Sequence, residues 1–397
     1  MSSIPHLFIT LGMTALTMGH VQAEKKYGPG VTDTEIKIGQ TMPYSGPASS
    51  FSLLGKAEAA YFAKVNDEGG INGRRIKLIS LDDGYSPPKT VEQTRRLVEQ
   101  EEVLLIFGSV GSAGASAVHK FMNAKKVPHL FLATVASKWD DPQHYPWTLA
   151  YPPPPRVDAH LYARYLLKHY PHARIGILYQ NDDYGRDYLK ALRDGLGEKQ
   201  TTMIVAEVSY EPSDPTIDSQ LVTLKSAGAD TLFTFANPKA SAQAIRKVGD
   251  MSWKPLYFMN YSVASVETVL KPAGLERSIG IISAQYTKDP SDSQWNDDIE
   301  TKRYLAWMKK YYPDGDSADL YNVSGYNYAH ALVHVLRQCG DELTRENVMK
   351  QAANLKSVQL PLLLPGVTLN TSPANYVAIN RIYLKRFDGK KWTALEE

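Results

Sequence analysis

Cysteine is nearly missing from this chain: Cys339 stands alone among 397 residues. A single cysteine excludes an internal disulfide and any paired-cysteine metal or redox motif. It fits a reducing cytoplasm and a bacterial periplasm alike. Charge of one sign is missing as well. Lys and Arg number 44 against 42 Asp and Glu, a net charge of +2, and no basic stripe stands out. The electrostatic footprint of nucleic-acid binding is therefore absent. No apolar run approaches the ~20 residues needed to cross a bilayer. Catalytic signatures are lacking too. There is no HExxH, and the ten histidines show no ligand-like spacing. No GxGxxG opens a helix, and Gly55-Lys56 lacks the upstream glycine of a phosphate-binding loop. Gly111-Ser112-Ala113-Gly114 approaches a nucleophile elbow, but Val110 stands where GxSxG needs glycine. Paired aspartates such as Asp82-Asp83 and Asp182-Asp183 fit solvated turns and helix caps. The expectation is a protein without catalytic residues, metal or cofactor.

What is present starts at the N-terminus. Residues 7–18 form an apolar core too short to span a membrane, and Val21-Gln22-Ala23 offers a small-x-small cleavage pattern. Residues 1–23 are therefore expected to be a secretion signal, although they contain no Lys or Arg. The competing assignment is a buried N-terminal helix.

Strands and helices then alternate. Residues 36–41, 75–81, 103–107 and 128–132 read as strands, with helices from 54 to 65, 89 to 101 and 113 to 125. The pattern restarts with strands at 174–179, 203–208, 231–235 and 256–259 and helices at 184–196, 217–227 and 240–248. Continuous apolar runs rather than alternating ones indicate strands covered on both faces, as in parallel sheets. Two such series predict an α/β protein of two doubly wound lobes. The run Tyr151-Pro152-Pro153-Pro154-Pro155 reads as a stiff connector between them. Three helices (302–311, 320–339, 345–355) and a strand-like tail (376–387) follow. They imply lobe 1 from 24–150 plus 287–357, and lobe 2 from 151–286 plus 358–397. The hinge is expected at 150–155, 283–290 and 355–365.

Three loops at the carboxyl edge of the first lobe carry small residues: 43–52, 108–114 and 133–137. Each could present free N–H groups at a helix N-terminus. Ser112 stands before the helix from 113 and reads either as an anion-holding hydroxyl or as an ordinary cap. Facing edges of the second lobe are 180–184, 236–239 and 260–263. Aromatic residues recur along both edges: Tyr44, Phe51, Tyr85, Trp139, Tyr184 and Tyr261.

Taken in order, IKIG…SGPASSF…GINGRRIKLISLDDGYSPPKT, LLIFGSVGSAGASA, RIGILYQNDDYGRDYLKAL and KSAGADTLF carry a resemblance. The chain resembles the periplasmic solute-binding proteins of ABC importers, in the class typified by leucine/isoleucine/valine-binding protein. That resemblance implies a type I bilobal fold with a three-crossing hinge, closure on a small ligand, periplasmic location and docking to membrane permease subunits. It also implies a monomer with no nucleic-acid partner. By the same resemblance Phe51 packs on the ligand and Ser112 holds its carboxylate. Ala133, Thr134 and Val135 supply backbone and hydroxyl contacts, and Tyr184 meets the ligand from the second lobe. Tyr261 and Ser262, on the edge loop 260–263, are expected to join them. Two positions depart from amino-acid binders. A hydroxyl is lost at Val135, and the acid expected to receive the ligand's ammonium near 260–263 is replaced by Asn-Tyr-Ser-Val. A buried ammonium without a carboxylate costs several kcal/mol, so the expected ligand is a carboxylate without an amino group, aromatic or aliphatic. The alternative is a ligand-sensing regulator of the same fold. A two-lobed enzyme such as a glycosyltransferase lacks its nucleotide or metal motif here.

Overall fold

Two helix-covered sheets carry residues 25–396, the part of the chain that the computed structural model describes. The secretion signal expected at 1–23 lies outside those residues. The first sheet runs Arg75–Asp82, Glu35–Met42, Leu105–Phe107, His129–Leu132, Thr148–Ala150, and every pair is parallel. Its inner strands Leu105–Phe107 and His129–Leu132 are buried at every residue, as apolar runs covered on both faces require. Arg75–Asp82 is only partly buried and forms the edge.

The second sheet repeats the same winding. Its parallel part runs Ile204–Tyr210, Ile175–Gln180, Thr231–Phe235, Leu256–Met259, Ile282–Gln285, and antiparallel Tyr383–Phe387 and Trp392–Ala394 extend it. In each lobe the first strand lies between the second and third. Loops leaving the first and third strands therefore diverge to opposite faces, opening a crevice at the carboxyl edge. In the first lobe these loops follow Met42 and Phe107, and in the second Gln180 and Phe235.

The chain passes between lobes after Ala150, after Gln285, and again between Ala352 and Tyr383. Helices Ile299–Tyr311 and Leu320–Cys339 return to pack on Ser52–Asp67 of the first lobe. The crossing is close because Gly325 has no side chain: a Cβ there would sit 2.5 Å from the Leu54 carbonyl oxygen. The second and third crossings are tied together, with Leu364 N donating to Tyr286 O at 2.9 Å and Lys288 N to Leu362 O at 2.8 Å.

Several elements differ from the sequence reading. The stiff connector ends at Pro154, and Pro155 opens a helix to His169. Proline suits a first helical position because the amide it lacks has no partner there. Thr148–Ala150 and Ile282–Gln285 are strands that the strand series read from the sequence did not include. Both are short and partly polar, and neighbouring strands recruit them. The last helix stops at Ala352 rather than 355, and the tail becomes strand only at Tyr383, with Trp392–Ala394 added.

Candidate functional site

The facing carboxyl edges enclose a cavity of about 830 Å3, counting the part open to solvent. All eight residues singled out from the sequence line it: Phe51, Ser112, Ala133, Thr134 and Val135 from the first lobe, and Tyr184, Tyr261 and Ser262 from the second. Tyr85 also lines it, while Tyr44 and Trp139 do not. Tyr44 bonds Ser80 at 2.7 Å, and Trp139 is buried beside Leu132 and Ala150. Sequence reasoning missed one whole wall. Tyr321, Ser324 and Tyr328 come from one face of Leu320–Cys339, and Tyr286 and Thr287 come from the second crossing. The spacing 321, 324, 328 is a helical face and was the available signal.

The first-lobe floor is built on Gly111. It is the N-cap of Ser112–Lys125, at φ 106°, and no side chain caps the helix. A Cβ there would meet the Tyr85 ring at 2.8 Å, so only glycine lets that ring approach. Ser112 is consequently the first helical residue and not the cap. Its hydroxyl bonds that of Thr134 instead, and both residues are buried. Of the two hydroxyl protons, that bond uses one, which leaves the other to donate to a third group. The first turn's amides add a positive dipole end. The loop before Ser52–Asp67 offers less. A 3-10 turn, Ser49–Phe51, runs into that helix and uses amides internally, with Phe51 N donating to Ala48 O at 3.0 Å.

On the second-lobe side Asp182 caps Asp183–Leu196, accepting from Tyr184 N at 3.0 Å and Gly185 N at 3.2 Å. Tyr184 Oη donates to Ala236 O at 3.2 Å, and Tyr261 Oη to Pro153 O at 2.6 Å, which fastens the ring to the first crossing. Asn260 Nδ2 donates to Ser262 Oγ at 2.6 Å, and Asn260 Oδ1 accepts from Ala236 N at 3.3 Å. Burial pushes the Tyr184 and Tyr261 hydroxyls far above the usual phenol range, so both stay protonated.

Among the described residues no Asp, Glu, Lys, Arg or His lines this cavity. Charged groups outside that lining join the lobes. Asp183 Oδ2 accepts from Lys138 Nζ and from Ser116 Oγ, each at 2.6 Å, and Asp187 Oδ2 accepts from Ser137 N at 2.6 Å. Asp319 Oδ2 accepts from Ser265 Oγ at 3.1 Å and from Thr268 Oγ1. Gln180 Nε2 donates to Tyr85 Oη at 3.2 Å across the cleft. These bonds define a closed arrangement. Behind the wall, Asp158 is fully buried and accepts from Tyr188 Oη at 3.1 Å. Burial pushes its carboxyl up to about 8.

Two doubly wound lobes, three crossings and a cavity between matched carboxyl edges define a bilobal solute-binding fold. The chain belongs to the periplasmic binding protein family, whose description matches residues 35–391. It is similar to Leu/Ile/Val-binding protein homolog 7 of Brucella abortus (strain 2308), at 26% identity over 255 residues, 61% of each chain. The match thus spans about three fifths of that relative's length. A substrate-binding periplasmic protein from Ralstonia solanacearum superposes with a TM-score of 0.82 at 22% identity, over 91% of this chain and 100% of the other. A branched-chain amino acid ABC transporter protein from Thermus thermophilus with bound valine gives 0.81 at 13%, over 92% and 97%. A fatty acid ABC transporter substrate-binding protein from Thermomonospora curvata gives 0.76 at 23%, over 93% and 94%. These likenesses establish the type I fold.

Proposed function

We propose that this chain is the periplasmic solute receptor of an ABC importer of the branched-chain amino acid type. It captures a small carboxylate with an aromatic or apolar body and no ammonium group, then delivers it to permease subunits as a monomer. The observation that carries this reading is the uncharged cavity wall. An α-amino acid would bring an ammonium into a site with no acid to receive it, at a cost of several kcal/mol. A carboxylate needs no buried cation here. The Ser112–Thr134 hydroxyl pair and the open first turn of Ser112–Lys125 supply donors and a favourable dipole. Phe51, Tyr184 and Tyr261 then surround the apolar body. Residues 24–150 with 287–357 act as one lobe and 151–286 with 358–397 as the other, turning about the three crossings so that contacts to both lobes shift the balance toward closure.

Paired ligands test this. 3-Phenylpropanoate and 4-methylpentanoate should raise the melting temperature in a thermal-shift titration, because a ligand that binds only the folded state stabilises it. Phenylalanine and leucine, which match them in body but carry an ammonium, should not. Stabilisation by the amino acids and not by the acids would overturn the reading. Calorimetry assigns the carboxylate contact: Ser112→Ala should weaken the acid by roughly 1–3 kcal/mol and its amide much less.

A further inference from the structure

Resting on the carboxylate reading above, we infer that the ligand carries a second polar group, a hydrogen-bond acceptor that takes the proton of Tyr321 Oη. Tyr184 donates to Ala236 O and Tyr261 to Pro153 O. Tyr85 accepts from Gln180 Nε2 at 3.2 Å. Tyr321 also lines the cavity and is only 2% exposed, yet its hydroxyl is buried with no hydrogen-bond partner. A buried hydroxyl without a partner forfeits the bonds it made to water, and native proteins keep few of them. Among the described residues no other side chain lining the cavity holds a fully buried polar atom without a partner.

The placement of Tyr321 suits a ligand contact. Its backbone is held by Asp319, whose Oδ1 accepts from Tyr321 N at 2.7 Å, and its ring meets Phe51 edge-on at 4.9 Å between centroids. The ring thus stands beside the aromatic group expected to cover the ligand's body. Asp319 is in turn the residue that Ser265 and Thr268 grip from the second lobe. Closing the lobes and presenting Tyr321 are therefore mechanically linked. Burial pushes the hydroxyl far above the usual phenol range, so it remains a donor at any physiological pH. It asks for an acceptor such as an ether, phenolic or carbonyl oxygen. The ligand class becomes a ring- or chain-oxygenated carboxylate rather than a bare hydrocarbon acid.

The test compares 3-phenylpropanoate with its ring-hydroxy and ring-methoxy derivatives, substituted in turn at the ortho, meta and para positions, by calorimetry on the wild type and on Tyr321→Phe. At least one oxygenated acid should bind the wild type roughly 10- to 100-fold more tightly than the bare acid, the gain from a satisfied buried donor. Tyr321→Phe should bring that acid down to the affinity of the bare one. The ligand-free melting temperature of the variant should not fall, because the deleted oxygen has no partner to lose. An oxygenated acid that keeps its advantage in Tyr321→Phe overturns the inference, and so does a series with no advantage in the wild type. If the acids bind but Tyr321→Phe moves nothing, this inference fails alone. If none binds and the amino acids do, the carboxylate reading fails first.

Discussion

Outside the cavity lining, where the lobes meet, the part-exposed Asp183 is gripped by Lys138 and Ser116. A few residues deeper the wall is tyrosine, phenylalanine and small residues, with no charged side chain. Solvent explains the difference. The Lys138 and Asp183 side chains keep 28% and 43% of their surface exposed, so each retains hydration and the pair contributes only ~0–1 kcal/mol. Inside the cavity a charge would have to be stripped of water and matched by an opposite charge. Charges at the rim can therefore bias closure between two lobes, while aromatic area in the interior selects what is enclosed. On the proposed function, the rim would set how long the cleft stays shut and the interior what it holds.

Moving rim chemistry inward should have the largest effect. Ser112→Asp places a carboxylate where the ligand's own is expected. Repulsion and desolvation should then lower affinity for 3-phenylpropanoate by several kcal/mol, beyond calorimetric detection, with circular dichroism still reporting a folded chain. Retained binding would show that the acid is held elsewhere.

A smaller effect concerns Asp158, a carboxyl that neither rim nor cavity uses. Burial keeps it protonated up to about 8 in the folded protein, while in the unfolded chain it ionises near its ordinary value of 3.8. Between those values the unfolded state binds fewer protons, so raising the pH favours unfolding, and the loss is complete above about pH 8. The unfolding free energy from urea titrations should fall from pH 5 to 8 by an amount on the order of 2–4 kcal/mol. Asp158→Asn, neutral throughout, should flatten that slope. An unchanged slope in the variant would mean that other groups cause it.

The smallest effect belongs to the rim. Burial raises Asp183, but bonds from Lys138 and Ser116 outweigh it and hold the carboxyl below its ordinary value of 3.8. A carboxylate lowered in this way stabilises closure fully above its ordinary value and loses that contribution only as the pH falls through the lowered one. The clasp should thus work unchanged from pH 5 to 8. Asp183→Asn should speed ligand release by no more than about fivefold, ~1 kcal/mol, and less so in high salt. Stopped-flow release rates would measure it, and a hundredfold change would assign the rim a role in selection as well.

Much of this was legible in the chain. Apolar runs such as Val-Leu-Leu-Ile-Phe at 103–107 could only be covered strands, and the repeated strand–helix series predicted two parallel-sheet lobes. The carboxyl-edge loops were readable for the same reason, since winding direction puts them on one side. Other features left little local trace. Ile282–Gln285 is a polar-looking Ile-Ser-Ala-Gln segment that is strand only because Leu256–Met259 and Tyr383–Phe387 flank it. Ser112 looked like a cap until Gly111, at φ 106°, proved to hold that position.

By itself the sequence determined the layered α/β fold and the two lobes, because strand burial and helix periodicity are short-range patterns that hydrophobic burial enforces; the set of cleft residues came from the resemblance to a known family. Only the tertiary structure decided which charges close the cleft and which walls surround it. Tyr321, Ser324 and Tyr328 lie far along the chain from Phe51 and Ser112, and Asp319 lies far along it from Ser265. Their meeting depends on a helix that crosses back between lobes to pack on the first. No local pattern encodes that return; the long-range burial of Leu320–Cys339 against Ser52–Asp67 does.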